Sequence, residues 1–460
     1  MRFILNWFTE EKTVSKIDPQ IFKAYDIRGV YPDQLNEEIA YKIGRGFVEY
    51  LKPQNCAMGR DMRLSSPALW KSLTEGIIDG GTDVFDLGLC STDGLYFAVG
   101  KFGYHSGIMI TASHNPPEYN GMKMCSKDAV PLSGEEGINQ IKELVIKNDF
   151  HPVGKKGRIK KHNIDRFYTE HVLSFIDTQT VKPFKIVIDA GNGIAGKIIP
   201  DVFSHLPCQI IPMLFELDGS FPHHLPNPME PANIEPLQKK VLEEKADLGA
   251  AFDGDADRMF LVDEKGNRLG GDMVTALVAK NLLKKEKGTT ILYNLICSKT
   301  VPEIIQKEGG KAIRTKVGHA LIKPLMKKYN AIFGGEHSGH FYFRNNWYAD
   351  SGLIALLVCL ELISEEEKPL SLLVKSIDRY YRSGEINTPV ENMSEKIKEV
   401  ERHFLKRKID HLDGLTVEYK DWWFNLRPSN TEPLLRLNIE ASDPKLLEEK
   451  KEQLLKIIRR

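Results

Sequence analysis

A hydroxyl group stands at the end of an apolar segment in the first quarter of this 460-residue chain. Gly107–Thr111 has the composition of a buried strand, and Ser113 follows it in a Ser-His-Asn-Pro sequence. Because loops at the carboxyl ends of strands line the ligand crevice of open α/β sheets, Ser113 lies where a nucleophile belongs. An isolated Ser-His pair is more often a turn that satisfies its own backbone. A Ser/His/Asp hydrolase would need a Gly-x-Ser-x-Gly elbow, which is missing around Ser113.

Three aspartates alternate with other residues directly after a second apolar segment, Leu248–Phe252. Alternate residues of an extended segment face the same side, so Asp253, Asp255 and Asp257 should converge. Converging carboxylates repel one another unless a cation neutralises them, and hard oxygen ligands suit Mg²⁺ or Ca²⁺. An EF-hand is excluded because Arg258 occupies the position that needs glycine. A solvated acidic turn is the competing interpretation, but apolar residues on both sides disfavour full solvation.

A strand followed by a glycine-rich turn lies between these two motifs. Lys185–Asp189 is the predicted strand, and Gly191–Gly196 has the pattern Gly-x-Gly-x-x-Gly. Glu216 stands about twenty residues further on, as the dinucleotide-binding fingerprint requires. On this segment alone a NAD-dependent oxidoreductase is a fair hypothesis. Glycine turns at strand ends are common, however. In a NAD-dependent oxidoreductase the serine and aspartate loops would also have no role.

A polar loop follows another predicted strand and a glycine pair at Gly334–His340. Glu336 and Ser338 are able to bind sugar hydroxyls, and His340 can move protons near neutral pH. The same cluster standing alone is often only a polar loop.

The segment Arg427–Pro433 brings together a guanidinium group, two hydroxyls and an amide. The side chains concerned are Arg427, Ser429, Asn430 and Thr431. With local backbone N–H groups they would form an efficient phosphate clamp. A proline-bounded turn is the alternative interpretation of this segment.

Helix and strand signals alternate around these motifs. Asn36 can cap a helix that runs to Leu51, and the alternation restarts near Ile164 and again near Asp272. Such alternation indicates mainly parallel sheets covered by helices, although no internal sequence repeat is visible.

We therefore predict an α/β fold of three consecutive similar α/β domains followed by a smaller C-terminal α+β domain. The predicted limits are 1–157, 158–258, 259–372 and 373–460. The polar stretch Ser364–Pro369 is predicted to be a solvated turn, and Tyr380–Gly384 a link. The last helix is predicted to begin at Asp443.

The bulk composition points to a soluble cytoplasmic protein. Lys plus Arg and Asp plus Glu both number 63, so global charge favours neither nucleic acid nor an anionic membrane as a partner. The six cysteines are dispersed without metal-ligand spacing, as expected of reduced thiols in a reducing compartment. The apolar runs are too short for a signal peptide core or a membrane span.

Taken together and in order, these motifs resemble those of the α-D-phosphohexomutase superfamily. The matching segments are Tyr25–Gly29, Thr111–Pro116, Asn120–Lys123, Asp253–Arg258, Gly318–His319, Gly335–His340 and Arg427–Pro433. The resemblance covers nearly the whole chain. It implies three similar α/β domains and a smaller fourth one arranged around a central cleft.

The resemblance further implies a phosphohexose mutase that interconverts hexose 6-phosphate and hexose 1-phosphate. Ser113 would be the phosphoserine, and a hexose 1,6-bisphosphate would be both intermediate and activator. By this resemblance Mg²⁺ is held by Ser113, Asp253, Asp255 and Asp257. The reacting phosphoryl group lies near Arg28 and Arg258, and the candidates for proton transfer are Lys123 and His340. The sugar contacts are Glu336, Ser338 and His319, and the non-reacting phosphate is held by Tyr25, Arg427, Ser429, Asn430 and Thr431.

The sugar loop and Asn430 look like the phosphomannomutase/phosphoglucomutase branch, which implies mannose and/or glucose phosphates as substrates. A phosphoglucosamine mutase is the alternative; those enzymes tend to have glutamine at the position of His337 and glycine at that of Asn430. A NAD-dependent oxidoreductase is the less favoured alternative. The expected partner is a small phosphosugar, with no nucleic acid and no membrane. A monomer is expected, with a dimer as the alternative.

Overall fold

The computed structural model describes residues 17–404, 408–429 and 433–460. Within these residues the strands form four sheets, one for each predicted domain. No helix among them is long and apolar enough to cross a membrane. All six cysteines lie in the described part of the chain, and five of them are buried.

The first domain combines a largely parallel sheet with helices between its strands. Its strands are β1 Ile27–Val30, β2 Asn55–Arg60, β3 Asp83–Leu89, β4 Ser106–Ile110, β5 Tyr119–Ser126, β6 Val130–Pro131 and β7 Ile159–Lys161. Its helices are α1 Glu37–Leu51, α2 Ser66–Asp79, α3 Thr92–Phe102 and α4 Ile138–Lys147. The strand order is β1-β5-β4-β2-β3-β7, with β6 beside β5. Strands β4, β2, β3 and β7 are parallel, whereas β5 is antiparallel to β4 and β1.

The second domain repeats this arrangement on a smaller scale. Its strands are β8 Lys185–Asp189, β9 Gln209–Met213, β10 Leu248–Phe252 and β11 Met259–Asp263. Its helices are α5 Asp165–Leu173, α6 Ala195–Phe203 and α7 Pro231–Glu244. In the order β11-β10-β8-β9, only β11 is antiparallel to its neighbour.

The third domain has the same sheet again. Its strands are β12 Thr290–Asn294, β13 Lys311–Thr315, β14 Phe333–Gly335 and β15 Phe341–Phe343. Its helices are α8 Gly271–Lys285, α9 Thr300–Lys307, α10 His319–Tyr329, α11 Gly352–Glu366 and α12 Leu370–Ile377. The order is β13-β12-β14-β15, and β15 alone runs antiparallel.

The fourth domain is an antiparallel sheet with two helices. Its strands are β16 Tyr381–Arg382, β17 Ile386–Pro389, β18 Lys408–Asp410, β19 Leu415–Glu418, β20 Trp422–Pro428 and β21 Leu434–Ala441. Its helices are α13 Met393–Arg402 and α14 Pro444–Ile458. The order is β16-β21-β20-β19-β18, with β17 also paired to β21. Asp443 caps α14 as predicted, since its side chain accepts from the amides of Lys445 and Leu446.

Side-chain capping and apolar spacing explain why the predicted helices form. The Asn36 side-chain oxygen accepts from the Ile39 amide at 3.1 Å, so α1 begins where the sequence predicts. Ile39, Ile43 and Phe47 are buried along one face of that helix. The predicted helix from Asn36 to Leu51 is confirmed.

The first three domains share one topology that the sequence alone did not reveal. In each, a strand lies beside two parallel neighbours, and one of those neighbours turns back in an antiparallel hairpin. The hairpins are β4–β5, β10–β11 and β14–β15. Each of the serine, aspartate and sugar loops connects the two strands of one hairpin. Three equivalent positions in three similar domains therefore carry the three central motifs.

One hydrophobic core runs through the first three domains, while the fourth has a core of its own. The indole of Trp347 from the third domain marks the junction. Its ring centroid lies 6.2 Å from that of Phe97 on α3 and 5.4 Å from that of His171 on α5. Residues from all three domains thus pack in a single aromatic cluster.

Several predicted boundaries differ from the sheets that form. The first sheet extends past 157, because β7 pairs with β3. The second extends past 258, because β11 pairs with β10. The predicted limit between 372 and 373 falls inside helix α12, which packs with the core of the first three domains.

One prediction near the start of the fourth domain is wrong in part. Part of the stretch Ser364–Pro369 is helical, because α11 continues to Glu366 and buries Ser364, whose hydroxyl donates to the Leu360 carbonyl. The predicted link Tyr380–Gly384 lies between α12 and β17, and it includes the two-residue strand β16, which pairs with the end of β21.

Candidate active site

Ser113 lies just beyond the carboxyl end of β4 in a constrained turn. Its φ of 50° is in the left-handed region that non-glycine residues seldom adopt. Its amide donates to Thr111 Oγ1 at 2.9 Å, and its Oγ donates to Asp253 Oδ2 at 2.7 Å. His114 Nδ1 lies 3.1 Å from the same Oγ, and burial holds the pKa of His114 well below its usual range. The hydroxyl is therefore directed at the aspartate loop.

Close approach of the two loops depends on a residue without a side chain. A Cβ at Gly254 would collide with the carbonyl oxygen of Ser113. Glycine is required there because the backbones of two domains touch. The serine loop and the aspartate loop, which the sequence placed in separate domains, therefore meet in one site.

The three aspartates converge as predicted and are almost fully buried. One oxygen from each of Asp253, Asp255 and Asp257 lies within 4.8 Å of the others. Among the described residues, Oδ1 of Asp255 and Oδ1 of Asp257 have no hydrogen-bond partner. Buried carboxylate oxygens left unpaired are unfavourable unless a cation takes them up. The group therefore fits a hard divalent cation.

The aspartates are held in different electrostatic environments. Burial, reinforced by the charge of Asp257, raises the pKa of Asp253 to about 7. Burial would also raise the pKa of Asp257, but Lys123 and His340 outweigh it and lower that pKa to about 2. The neighbouring cations thus favour the ionised form of Asp257, whereas burial and the charge of Asp257 disfavour the ionised form of Asp253.

Lys123 of β5 supplies part of the compensating charge. Its Nζ lies 2.7 Å from Asp255 Oδ2 and 2.5 Å from Asp257 Oδ2. Burial opposes its charge, yet these carboxylates hold the pKa of the ammonium well above its usual range. Lys123 is therefore a protonated group, able to donate a proton or stabilise charge.

Thr92 is a site residue that the sequence analysis missed. Its hydroxyl donates to Asp255 Oδ2 at 2.5 Å, and its amide donates to the Asp255 carbonyl at 3.1 Å. It opens α3, so the start of a first-domain helix holds the aspartate loop of the second domain. A lone threonine at a helix start gave no signal for this role.

Two predicted arginines lie beside Ser113. Arg258 Nε contacts Asp253 Oδ2 at 2.9 Å, and its Nη2 donates to Ser113 Oγ at 3.3 Å. Arg28 on β1 donates to Asn115 Oδ1 at 2.5 Å and pairs with Asp26. Both guanidinium groups therefore border the serine loop.

The sugar loop is attached to the aspartate loop by backbone and side-chain contacts. Arg258 and His340 form an isolated antiparallel bridge, and His340 Nε2 lies 3.6 Å from Asp257 Oδ1. Its Nδ1 lies 3.1 Å from Ser338 Oγ. His340 thus joins the second domain to the third at the site.

Glu336 is oriented by groups from two other segments. Its Oε2 accepts from the Tyr342 hydroxyl at 2.9 Å, and its Oε1 accepts from the Gly318 amide at 3.1 Å. Helix α10 begins at the predicted residue His319, directly after Gly318, so the backbone of His319 lies close to Glu336. The Tyr25 hydroxyl lies against Gly318. Burial, followed by the charges of Asp413 and Glu336, raises the pKa of Tyr25.

The predicted phosphate clamp belongs to the fourth domain and lies near the sugar loop, since the charge of Arg427 joins burial in lowering the pKa of His337. Arg427 Nη2 lies 2.7 Å from Glu385 Oε2. Arg436, which the sequence analysis missed, contacts Glu385 Oε1 at 3.0 Å and donates to Ser429 Oγ at 3.3 Å. Asn430 and Thr431 lie outside the described residues. Two guanidinium groups and a hydroxyl are thus gathered around one carboxylate.

The glycine turn Gly191–Gly196 supports the aspartate loop. The Ile194 amide donates to the Gly254 carbonyl at 3.0 Å, and a Cβ at Gly196 would collide with the Phe215 carbonyl. The close approaches that a pyrophosphate would need are taken by the chain's own backbone. This packing disfavours a dinucleotide site here.

Comparison with protein families gives four matches in chain order. Phosphoglucomutase/phosphomannomutase alpha/beta/alpha domains I, II and III match residues 19–152, 166–266 and 270–380. The C-terminal domain of the same family matches 385–457. The chain belongs to the phosphoglucomutase/phosphomannomutase family.

Relatives from this family align over almost their whole length. A phosphomannomutase of Escherichia coli (strain K12) is 40% identical over 448 residues, covering 95% of this chain and 98% of that protein. A phosphomannomutase of Methanocaldococcus jannaschii is 40% identical over 445 residues, covering 96% and 98%. The crystal structure of a phosphoglucomutase/phosphomannomutase family protein from Burkholderia thailandensis has a TM-score of 0.88 at 31% identity, covering 96% and 98%.

Proposed function

We propose that this protein is a phosphohexose mutase that interconverts the 1- and 6-phosphates of mannose and/or glucose. The observation that carries the proposal is the 2.7 Å hydrogen bond from Ser113 Oγ to Asp253 inside a buried group of three aspartates. A serine hydroxyl set against a cation-binding group and an arginine suits phosphoryl transfer, in which charge must be spread over the transferred group. Family membership and relatives named phosphomannomutase support the same activity.

The reaction begins from phosphorylated Ser113. A sugar hydroxyl oxygen attacks the phosphorus, the bond from phosphorus to Ser113 Oγ breaks, and the hydroxyl proton passes to a base. His340 is the proposed base, and Lys123 is the proposed acid that returns a proton to the serine oxygen. Arg258, 3.3 Å from Oγ, stabilises the charge on the moving group together with Arg28.

We assign the divalent cation to Ser113, Asp253, Asp255 and Asp257, with Mg²⁺ as the expected ion. When bound, Mg²⁺ would neutralise charge on the phosphoryl oxygens and on the serine oxygen. The unpaired oxygens of Asp255 and Asp257 support this assignment.

The product of the first transfer is a hexose 1,6-bisphosphate. Once this intermediate is reversed in the cleft, its other phosphoryl group passes back to Ser113, which restores the phosphoserine. Added bisphosphate would therefore act as an activator by phosphorylating unmodified Ser113.

The remaining proposed roles concern binding. Glu336 and Ser338, with His319, would contact the sugar. The phosphate that does not react would be held by Tyr25, Arg427, Ser429, Asn430 and Thr431. Arg427 now pairs with Glu385, so an incoming phosphate must share or replace that carboxylate.

The test compares the Ser113→Ala variant with the parent protein and with Ser126→Ala. Ser126 is a matched serine that ends the neighbouring strand β5. Each protein is treated with Mg²⁺ and glucose 1,6-bisphosphate, weighed by intact mass spectrometry, and assayed with mannose, glucose and glucosamine phosphates. The parent and Ser126→Ala should gain one phosphoryl group and turn over substrate, while Ser113→Ala does neither. Turnover by Ser113→Ala would disprove the mechanism, and a strong preference for glucosamine phosphate would move the protein to that branch.

A further inference from the structure

The guanidinium group of Arg63 lies beneath the serine loop and is fully buried. Its Nη1 donates to the carbonyls of Pro116 at 2.7 Å and Tyr119 at 2.9 Å. Its Nη2 donates to the carbonyls of Ser113 at 2.9 Å and Asn115 at 2.6 Å. One side chain therefore binds four carbonyl groups of the loop that carries the reactive serine.

The charge of Arg63 is compensated by a neighbour on its own segment. Its Nε lies 3.3 Å from Asp61 Oδ2, and neither side chain is exposed to solvent. Asp61 is in turn fixed, because its Oδ1 accepts from the Ser66 hydroxyl at 2.7 Å. The pair satisfies the rule that a buried charge needs both a counter-ion and hydrogen bonds.

The loop needs such an anchor because its backbone is unfavourable on its own. Ser113 has a φ of 50°, and backbone strain of this kind persists only when the surroundings impose it. Four carbonyl dipoles directed at one buried point would also repel each other without a donor between them. Only arginine offers several N–H donors in a rigid planar fork, so lysine could not bind all four carbonyls.

Arg63 also lies at the contact between the first and second domains. Its guanidinium carbon is 5.0 Å from the centre of the Phe221 ring. A Cβ at Gly219 would collide with the backbone around Arg63, so these segments touch directly. The same second domain carries Asp253, the partner of Ser113 Oγ.

We propose that Arg63 is a positioning residue for phosphoryl transfer. It fixes the backbone of the serine loop so that Ser113 Oγ is directed at Asp253 and Arg258. Its hydrogen bonds within the loop go to backbone carbonyls, so it acts through the loop and not on the reacting atoms. This inference rests on the proposed mutase function.

The test uses Arg63→Lys, Arg63→Ala and the control Arg60→Lys. Arg60 is three residues away, lies over the Trp70 ring and contacts Asp86 at 3.6 Å, outside the site. Turnover is measured with mannose 1-phosphate, and Arg63→Ala is also assayed with methylguanidinium and with methylammonium. Amide hydrogen exchange of the peptide spanning 111–121 gives a readout that does not depend on activity.

We expect Arg63→Lys to lower kcat about 100-fold, because a small misplacement of a reacting group has effects of that size. KM should stay within about twofold, since substrate-binding residues are untouched. Methylguanidinium, but not methylammonium, should raise the activity of Arg63→Ala at least about tenfold by refilling the carbonyl pocket. Exchange should accelerate in the serine loop of both variants but not in Arg60→Lys.

Two results would overturn the inference while leaving the function standing. One is an active parent protein with unchanged kcat and unchanged exchange in Arg63→Lys. The other is equal rescue of Arg63→Ala by both cations, which would reduce Arg63 to a charge. If the parent itself neither takes up phosphate nor turns over substrate, the proposed function fails and the positioning role falls with it.

Discussion

Ser113 Oγ and Asp253 Oδ2 lie 2.7 Å apart although 140 positions separate the two residues in the chain. The contact joins the loops of two hairpins in different domains, β4–β5 and β10–β11. It forms only because Gly254 lets the backbones meet. The chemistry of the site therefore depends on how the first and second domains are packed, as well as on the side chains involved.

Substituting Gly254 tests that dependence directly. Gly254→Ala places a methyl group against the Ser113 carbonyl, so the loops must separate. We expect kcat to fall about 100-fold, with stability reduced by about 1–3 kcal/mol. Steady-state kinetics and thermal unfolding measure the two effects. The matched control is Gly154→Ala, where no described atom lies within 4 Å of the new Cβ. Equal activity in both variants would show that close approach is unnecessary.

Chelation of divalent cations should abolish turnover, and Mg²⁺ should restore it. Asp255→Asn removes one of three converging carboxylates, so we expect Mg²⁺ affinity to fall at least about tenfold. Calorimetric titration of Mg²⁺ measures the change independently of activity. Asp201→Asn, on the exposed side of α6, serves as the control. Unchanged affinity in Asp255→Asn would remove that residue from the cation site.

Lys123→Met should destabilise the metal-free protein more than the Mg²⁺-loaded one. Without the ammonium, Asp255 and Asp257 are buried anions lacking their counter-ion, a loss of about 3–5 kcal/mol. Bound Mg²⁺ would replace part of that positive charge. Thermal unfolding with chelator and with Mg²⁺ gives the comparison, and Lys101→Met on the exposed end of α3 is the control. A loss of equal size in both conditions contradicts the prediction.

Asp93, in the first turn of α3, should make stability depend on pH. Burial raises the pKa of this carboxyl from 3.8 to about 6, while Ser91, Tyr168 and Ser351 oppose the shift by hydrogen bonding. As pH rises, Asp93 therefore ionises in the unfolded chain before it ionises in the folded protein. The contribution of protonated Asp93 to the free energy of unfolding is thus lost between pH 4 and 6.

Asp93→Asn removes this titration. Relative to the parent protein, the variant should gain up to about 3 kcal/mol of unfolding free energy between pH 4 and pH 7. Urea unfolding at several pH values measures the difference, and Asp201→Asn on the exposed side of α6 is the control. If the difference in unfolding free energy between variant and parent were the same at every pH from 4 to 7, the assignment to Asp93 would be refuted.

The loops of the site could be predicted from sequence because each has a local signal. Strands β8 and β10 form with the predicted bounds, and the serine and aspartate loops follow apolar strands as expected. Alternation in an extended segment was enough to bring three carboxylates together. These features need no knowledge of distant partners.

Features that depend on pairing between distant segments could not be predicted. Strand β7 is exposed along its length, so its sequence lacks the apolar pattern of a strand. The limit predicted from sequence therefore excludes β7 from the first domain. Arg63 contacts backbone carbonyls, and because every residue has one, no residue type in the sequence indicates these contacts. Arg436 and Glu385 meet only because β17 and β21 pair.

The hydrophobic core of the fourth domain is separate from that of the first three domains. This separation bears on how one phosphate clamp would serve both phosphoryl transfers of the proposed mechanism. In the proposed mechanism the reversed bisphosphate would present its second phosphate to the clamp from the other end of the sugar. A rotation of the fourth domain would leave the hydrophobic core shared by the first three domains intact, since the fourth domain has a separate core. In the proposed mechanism the reacting end of the cleft would keep its geometry while the end that holds the second phosphate moved with the fourth domain.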